Sequence, residues 1–227
     1  YSTASIGIAC YPTDGQTSHE LLKNADSAMY HAKSIGKNNY QFYSKILNAA
    51  ALERLDMENS LRRALERREF ELYYQPKIQA TTGKICGAEA LLRWNHPQKG
   101  QISPAQFIPL CEEIGLIVSI GEWVIQTACT QVKNWQDRGL SSLRVAINLS
   151  PLQFRQPDLI KKIETILDAV GLDSSKLEFE ITESVAIEDI DKTIITLNTF
   201  KNMGLHLSID DFGTGYSSLS YLKRFPI

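Results

Sequence analysis

The fold of this chain is organised around one stretch of sequence, Gly87-Ala88-Glu89-Ala90-Leu91-Leu92-Arg93-Trp94. It is a short apolar run with one carboxylate in its middle and an arginine directly before a tryptophan. Because ionised glutamate is rarely buried without a partner, two interpretations are open. Glu89 either points into a site that supplies a cation or marks a strand end that faces solvent.

Three later strand-like runs are also apolar until they reach an oxygen ligand. Val145–Asn148 ends in an amide, Leu177–Ile181 carries two acids, and Leu207–Asp211 ends in two more. Between these runs lie segments with helical patterns that end at glycine. Strands that alternate with helices in this way predict parallel strands joined by crossover helices.

The chain resembles the EAL domains, bacterial cyclic-di-GMP phosphodiesterases named for the triplet that stands here as Glu89-Ala90-Leu91. The resemblance covers about residues 69–227, in the family's order and approximate spacing. Its motifs are Tyr74-Gln75-Pro76, Glu89 to Trp94, Phe107-Ile108-Pro109, Asn148-Leu149-Ser150, Glu180-Ile181-Thr182-Glu183 and Asp210-Asp211-Phe212-Gly213-Thr214-Gly215. It implies an α/β fold, a TIM-like (β/α)₈ barrel that is incomplete here, with about strands one to five present.

Residues 1–44 resemble the C-terminal part of a GGDEF domain, the diguanylate cyclase fold. The resemblance lies in Ser5-Ile6-Gly7-Ile8-Ala9, Ala25-Asp26-Ser27-Ala28-Met29-Tyr30, Ala32-Lys33 and Gly36-Lys37-Asn38. The loop that would hold that family's catalytic carboxylates is expected upstream of Tyr1, so these residues do not decide cyclase activity. In active cyclases, the positions that match Lys33 and Lys37 contact phosphates. The alternative is that both lysines are solvated and complement a helix dipole.

Residues 45–68 are predicted to form a helical linker between the two domains. They are rich in Ala, Leu, Glu and Arg, contain no Pro or Gly, and repeat apolar residues near helical spacing. The linker is interpreted as a rigid spacer or as a helix that transmits a signal between the domains. The predicted organisation is therefore a GGDEF part over 1–44, a linker over 45–68 and a truncated EAL part over 69–227.

Local signals predict the remaining elements. Ser18 is the expected N-cap of the first helix, and Gly36 its C-cap. In the EAL part, the predicted strands and helices alternate. They are strands 70–78, 85–94, 143–149, 177–182 and 206–210, and helices 104–114, 120–138, 157–170 and 187–203.

The composition is that of a soluble globular protein. The chain has 227 residues, 43% hydrophobic and 22% charged, with a net charge of −2. No basic patch for duplex nucleic acid is present, and no apolar run reaches the ~20 residues of a membrane span. We expect a cytoplasmic protein, while a membrane anchor could have been lost from the missing N-terminal part.

Cysteines and histidines give no sign of a metal site. Cys10, Cys86, Cys111 and Cys129 form no Cys-x-x-Cys pair, and the histidines form no i, i+4 pair. The cysteines are predicted to be buried reduced thiols. His19, His31, His96 and His206 are predicted to lie in solvent-facing or turn positions.

The strand-end oxygens acquire a geometric meaning in a barrel. All parallel strands of a (β/α)₈ barrel end at one face, so Glu89, Asn148, Glu180 and Asp210 are expected to converge there. The alternative is ordinary turn chemistry, since loops often carry such residues. Converging carboxylates repel one another unless positive charge is supplied. An all-oxygen set suits Mg²⁺ or Mn²⁺ rather than zinc, and two such ions can serve phosphodiester hydrolysis.

The resemblance implies a role for each matched position. Glu89, Asn148, Glu180 and Asp210 match ligands of a first metal, with Asp210 shared, and Asp211 belongs to a second. Gln75 and Arg93 match positions that contact the nucleotide, although Arg93 could instead form a surface ion pair. Glu183 matches the residue that holds the loop after the fifth strand. Cyclic-di-GMP is the implied ligand, and a homodimer through the EAL domain is a further expectation.

We expect the sequence to be a fragment truncated at both ends. The family's later lysine, glutamate and glutamine would follow Ile227, so the fragment alone is expected to be inactive and poorly stable. The parent protein is expected to hydrolyse cyclic-di-GMP to linear pGpG by a two-metal mechanism. The alternatives are a module that binds the nucleotide without hydrolysing it and an inert interaction platform.

Overall fold

The computed structural model describes residues 3–36, 38–182, 190–210 and 224–226. The chain divides into two compact units, Tyr1–Ser60 and Leu61–Ile227. Across the described ranges, no helix combines the length and the apolar character that crossing a bilayer requires.

The first unit is a small α/β element. Strands β1 (Ile6–Ile8) and β2 (Tyr40–Phe42) pair in parallel, and helix α1 (Ser18–Ser34) connects them. The predicted N-cap is wrong, because Thr17 caps this helix. The Thr17 hydroxyl accepts the Glu20 N–H at 3.2 Å, and the Glu20 carboxylate accepts the Thr17 N–H at 3.2 Å. Threonine followed three residues later by glutamate makes this reciprocal capping box.

Helix α2 (Lys45–Ala64) begins in the first unit and ends at the start of the second. The second unit is built on a six-stranded sheet. The sheet order is β3-β4-β6-β7-β8, with β5 paired to the end of β4. The β3–β4 and β4–β5 pairs are antiparallel, and the other pairs are parallel. The strands are β3 (Phe70–Ile78), β4 (Ile85–His96), β5 (Gly100–Ile102), β6 (Arg144–Leu149), β7 (Leu177–Thr182) and β8 (His206–Asp210).

Helices connect the parallel strands, as the alternating pattern predicts, so the α/β class is confirmed. They are α3 (Pro104–Glu113), α4 (Ile117–Asp137), α5 (Pro151–Phe154), α6 (Leu159–Val170) and α7 (Ile190–Asn202). The prediction missed α5 and β5, which are too short to show a period. It also started α6 two residues early. The α6 helix ends at Gly171, whose φ of 67° favours glycine.

The two faces of the sheet differ in chemistry. The outer face is the core: Trp94, Ile147 and Phe179 are at most 1% exposed. Trp94 packs edge-on against Phe107, and its indole N–H donates to Glu69 at 3.0 Å. Side chains alternate along a strand, so the residues between these core positions point to the opposite, inner face. That face carries the polar residues of the candidate site.

Gly87 lets β4 and β6 approach closely. A Cβ at this position would lie 2.5 Å from the backbone oxygen of Arg144. Gly87→Ala should therefore push the two strands apart and lower the free energy of unfolding by about 1–3 kcal/mol. Urea denaturation measures the change. The exposed turn substitution Thr81→Ala is the control and should stay within about 0.5 kcal/mol. Equal unfolding midpoints for Gly87→Ala and the unsubstituted protein would contradict this packing.

The prediction of four buried thiols is wrong for two of them. Cys10 and Cys86 are exposed, whereas Cys111 and Cys129 are buried, and all four are free. Cys86 lies near the start of β4, and its thiol is 3.4 Å from the Lys77 carbonyl oxygen. Among the histidines, His96 is the last residue of β4 and is buried, so the predicted solvent-facing or turn position is wrong for it. Its Nδ1 accepts the N–H groups of Gln98 and Lys99, each at 3.1 Å.

Thiol reactivity should separate these two classes. Burial raises the pKa of Cys111 and of Cys129 to about 12, and the thiolate is the reactive form. In the native chain, Cys10 and Cys86 should react promptly with Ellman's reagent at pH 8. The other two should react roughly 100-fold more slowly or less. Guanidinium should make all four reactive at one rate. Four equal rates without denaturant would contradict the burial of Cys111 and Cys129.

Candidate active site

The inner face of the sheet brings together the residues singled out by the sequence. Gln75 on β3 lies directly opposite Glu89 on β4. Asn148 on β6 lies opposite Glu180 on β7. Thr182, at the end of β7, is paired with Asp210, the last residue of β8. Five separate segments of sequence thus contribute to one face.

The clearest contact in this group joins Glu89 and Asn148. The Asn148 amide Nδ2 donates to Glu89 Oε1 at 2.8 Å, across 59 residues of sequence. Glu89 is partly buried, and it lies within β4 rather than at its end, because β4 continues to His96. The continuation pairs with β5, while β6 pairs only with Gly87–Ala90. Glu89 therefore stands beside the β6 strand end even though its own strand runs on.

Offsets between neighbouring strands bring the four predicted oxygen ligands to a similar level along the barrel axis. Glu89 is paired with Ala146, two residues before Asn148, and Asn148 is paired directly with Glu180. Glu180 is in turn paired with Ser208, two residues before Asp210. Strands in a barrel are tilted and offset along their neighbours, so such steps keep side chains at a common level along the barrel axis.

Glu180 sits in an environment that disfavours its charge. Burial raises the pKa of this carboxyl group, and the nearby carboxylates of Glu89 and Glu178 raise it further. Lys77 acts in the opposite direction, with its ammonium 2.5 Å from Glu180 Oε1, but it does not outweigh the other effects. The result is a site with an excess of negative charge that can accept a cation.

Several residues named in the sequence analysis lie outside the described residues. They are Glu183, Asp211 and the rest of the motif through Gly215, together with Lys37 in the first unit. Asp210 is described and is exposed. Within the described ranges, no three acidic, histidine or cysteine side chains form a complete metal-binding group.

The donor chemistry nevertheless fits a hard divalent cation. Glu89 and Glu180 offer carboxylate oxygens, and Asn148 offers its amide Oδ1 while Nδ2 donates to Glu89. No imidazole or thiol is among these three residues. Mg²⁺ and Mn²⁺ prefer such oxygen sets. Burial and the neighbouring carboxylates of Glu89 and Glu178 disfavour the charge of Glu180, and a bound cation would offset both effects. The residues present therefore fit the metal that the sequence analysis expects.

Arg93 is positioned by two contacts on the same inner face. Its guanidinium carbon lies 5.3 Å from the centre of the Tyr73 ring, and Nη1 donates to the Leu92 carbonyl at 2.9 Å. In the described part of the chain, no ion pair involves Arg93, which removes support there for the surface ion-pair alternative. Its neighbour Trp94 points to the opposite face, because adjacent residues in a strand alternate.

A cavity of about 250 Å³ adjoins these residues. It lies where β4, β6 and β7 meet helices α3 and α4, and its lining is mostly apolar. The polar lining residues include Arg93, Glu112, Asn148 and Thr182. Burial raises the pKa of the Glu112 carboxyl group. Arg93 and Asn148 are thus among the few polar residues that line this mostly apolar space.

Sequence reasoning missed a second group of charged residues on the inner face. Lys77 contacts Glu178 as well as Glu180, and Arg144 Nη1 lies 3.5 Å from Glu178 Oε2. A period of two could have found them: Lys77 follows Gln75, and Glu178 precedes Glu180, each by two residues. Lys77 and Glu178 therefore had to share a face with residues already selected.

Comparison with known proteins is consistent with this geometry. A family model described as the EAL domain matches residues 58–227, and one described as the diguanylate cyclase, GGDEF domain matches residues 1–39. The chain is 53% identical, over 224 residues, to the bifunctional diguanylate cyclase/cyclic di-GMP phosphodiesterase MucR of Pseudomonas aeruginosa. It is 39% identical, over 227 residues, to the cyclic di-GMP phosphodiesterase PdeR of Escherichia coli.

The alignments cover nearly all of this chain but only part of each relative. They include 99% of the chain and 33% of MucR, and 100% of the chain and 34% of PdeR. The chain thus spans about a third of the length of these curated relatives. A solved structure of the MucR phosphodiesterase in complex with c-di-GMP superposes with a TM-score of 0.73 at 50% identity, covering 75% of this chain and 69% of that one.

Proposed function

The chain belongs to the EAL domain family, and on that premise we propose that the protein hydrolyses cyclic-di-GMP to the linear dinucleotide pGpG. The observation that carries the proposal is the contact between Glu89 and Asn148, with Glu180 beside them, on the inner face of the sheet. The relatives MucR and PdeR are named as phosphodiesterases of this nucleotide. A substrate with two phosphodiester groups also suits a site that combines carboxylates with an arginine.

The proposed metal ligands are the oxygen-bearing residues of the inner face. Glu89, Asn148, Glu180 and Asp210 would hold a first Mg²⁺ or Mn²⁺, and Asp211 would serve a second with Asp210 shared. When bound, such ions supply the positive charge that the phosphodiester needs as it reacts. The Asn148 amide orients Glu89, since it already donates to one of its oxygens.

The proposed nucleotide contacts lie beside these ligands. Arg93 offers a guanidinium that can bind a phosphate through two N–H groups, and its position over Tyr73 reduces the freedom it would lose on binding. Gln75 lies opposite Glu89 and can donate or accept a hydrogen bond toward the same ligand. Glu183 is proposed to hold the loop that follows β7. Dimerisation through the domain and a cytoplasmic location stay predictions.

Turnover by the full-length protein tests the proposal. Purified protein is incubated with cyclic-di-GMP and Mn²⁺ or Mg²⁺, and the linear product is separated by chromatography. Formation of pGpG that stops on addition of a chelator supports the proposal. Binding of the nucleotide without any product would instead indicate a signalling module that only senses it. A protein that neither binds nor hydrolyses the nucleotide would overturn both functions.

A further inference from the structure

A group of charged side chains on the inner face of the sheet lies next to the candidate metal ligands and links distant strands. Lys77 lies on β3, whereas Glu178 and Glu180 lie on β7, and two strands separate β3 from β7 in the sheet order. Strand neighbours therefore cannot explain this contact. The Lys77 side chain crosses the concave inner face to reach carboxylates 101 and 103 residues away.

The contacts of Lys77 are directional. Its ammonium lies 2.5 Å from Glu180 Oε1 and 3.3 Å from Glu178 Oε1. The side chain of Glu180 is 11% exposed and that of Lys77 is 36% exposed. Water therefore screens this pair less than it would a pair on the surface. Because the Lys77 ammonium is bound to one oxygen of Glu180, the second oxygen, Oε2, can bind another cation.

Glu178 in turn holds Lys77 in place. The Ser208 hydroxyl donates to Glu178 Oε1 at 3.0 Å, and Arg144 lies 3.5 Å from Glu178 Oε2. The Glu178 carboxylate is therefore surrounded by one hydroxyl donor and the two cationic side chains of Lys77 and Arg144. Glu178 is thus an anchored anion, and Lys77 is fixed between this anchor and Glu180.

We propose that Lys77 is a positioning residue for Glu180: it holds one carboxylate oxygen from below so that the other is presented to the divalent cation. The inference rests on the proposed function, because it takes Glu180 as a metal ligand. Ligating carboxylates are commonly fixed by such outer partners, whose removal typically costs 10–100-fold in metal affinity or activity. In this role, Lys77 acts through Glu180 rather than on the nucleotide or the reacting atoms.

Metal affinity in the absence of nucleotide tests this role. In the full-length protein, Lys77→Met removes the ammonium but keeps the length of the side chain. We expect it to weaken Mn²⁺ binding, measured by calorimetry, about 10-fold or more. Lys77→Arg keeps a cation that can reach the same two carboxylates and should restore most of the affinity. Glu178→Gln should also weaken Mn²⁺ binding, but by less than Lys77→Met, because Lys77 then keeps only one ionised partner.

Kinetics separates positioning from general stability. At saturating Mn²⁺, Lys77→Met should still lower kcat while KM for cyclic-di-GMP stays within about twofold, since Gln75 and Arg93 are untouched. A purely structural role would lower the unfolding midpoint and leave the Mn²⁺ affinity of the folded fraction unchanged. If Lys77→Met fails to fold, Glu178→Gln carries the test through its Mn²⁺ affinity.

The outcomes distinguish this inference from the proposed function. Unchanged or tighter Mn²⁺ binding by Lys77→Met, in a protein whose unsubstituted form hydrolyses cyclic-di-GMP, overturns the role of Lys77 and leaves the function intact. Weaker Mn²⁺ binding by Lys77→Met, in a protein that never hydrolyses the nucleotide, supports the role of Lys77 and overturns the function. An unsubstituted protein that binds no Mn²⁺ overturns the role of Lys77.

Discussion

Glu89→Ala in the full-length protein is expected to abolish hydrolysis of cyclic-di-GMP. The substitution removes a charged metal ligand and the acceptor of the Asn148 hydrogen bond at 2.8 Å. Metal ions contribute several kcal/mol to such reactions, so the rate should fall on the order of 10³-fold or more. The linear product is quantified by chromatography over a time course with Mn²⁺. Addition of excess chelator to the unsubstituted enzyme should have the same effect.

Two variants guard this experiment against a trivial loss of folding. Glu89→Gln keeps the shape of the side chain and an acceptor for Asn148, but loses the charge, and should be nearly as inactive as the alanine variant. Glu164→Ala removes an exposed glutamate from helix α6 and should retain full activity. Measurable turnover in excess chelator, or an active Glu89→Gln enzyme, would rule out the two-metal mechanism.

Arg93→Ala is expected to weaken binding of cyclic-di-GMP by about 1.5–3 kcal/mol, which corresponds to roughly 10- to 150-fold in affinity. The guanidinium is expected to bind a phosphate of the nucleotide, and it is already held over the Tyr73 ring at 5.3 Å. Calorimetry in excess chelator, which is expected to stop turnover, measures binding of the nucleotide.

A lysine substitution at Arg93 tests the geometry of that contact, and a second arginine serves as the control. Arg93→Lys keeps the charge but loses the planar fork, so its affinity should fall between those of the arginine and alanine proteins. Arg138→Ala, at the exposed end of helix α4, is the control and should bind like the unsubstituted protein. Unchanged affinity for Arg93→Ala would mean that Arg93 does not contact the nucleotide.

Local sequence was most informative where a pattern repeats within one element. The spacing of apolar residues predicted β3 and β7 with their observed bounds, Phe70–Ile78 and Leu177–Thr182. It failed for short elements, since β5 has three residues and α5 has four. It also predicted Cys10 and Cys86 to be buried, whereas both are exposed, because residue type alone does not show which cysteines pack in the core.

The sequence by itself determined which residues could supply oxygen ligands and that their strands run parallel. The apolar runs that carry Glu89, Asn148, Glu180 and Asp210 contain that information locally. Their placement relative to one another was decided by strand register, which depends on contacts between distant segments. Register sets Asn148 against Glu89 and directs Lys77 across the interior to Glu180, over 103 residues of chain. No local pattern encodes such a pair, because it exists only once the sheet has curved and brought the two charges together.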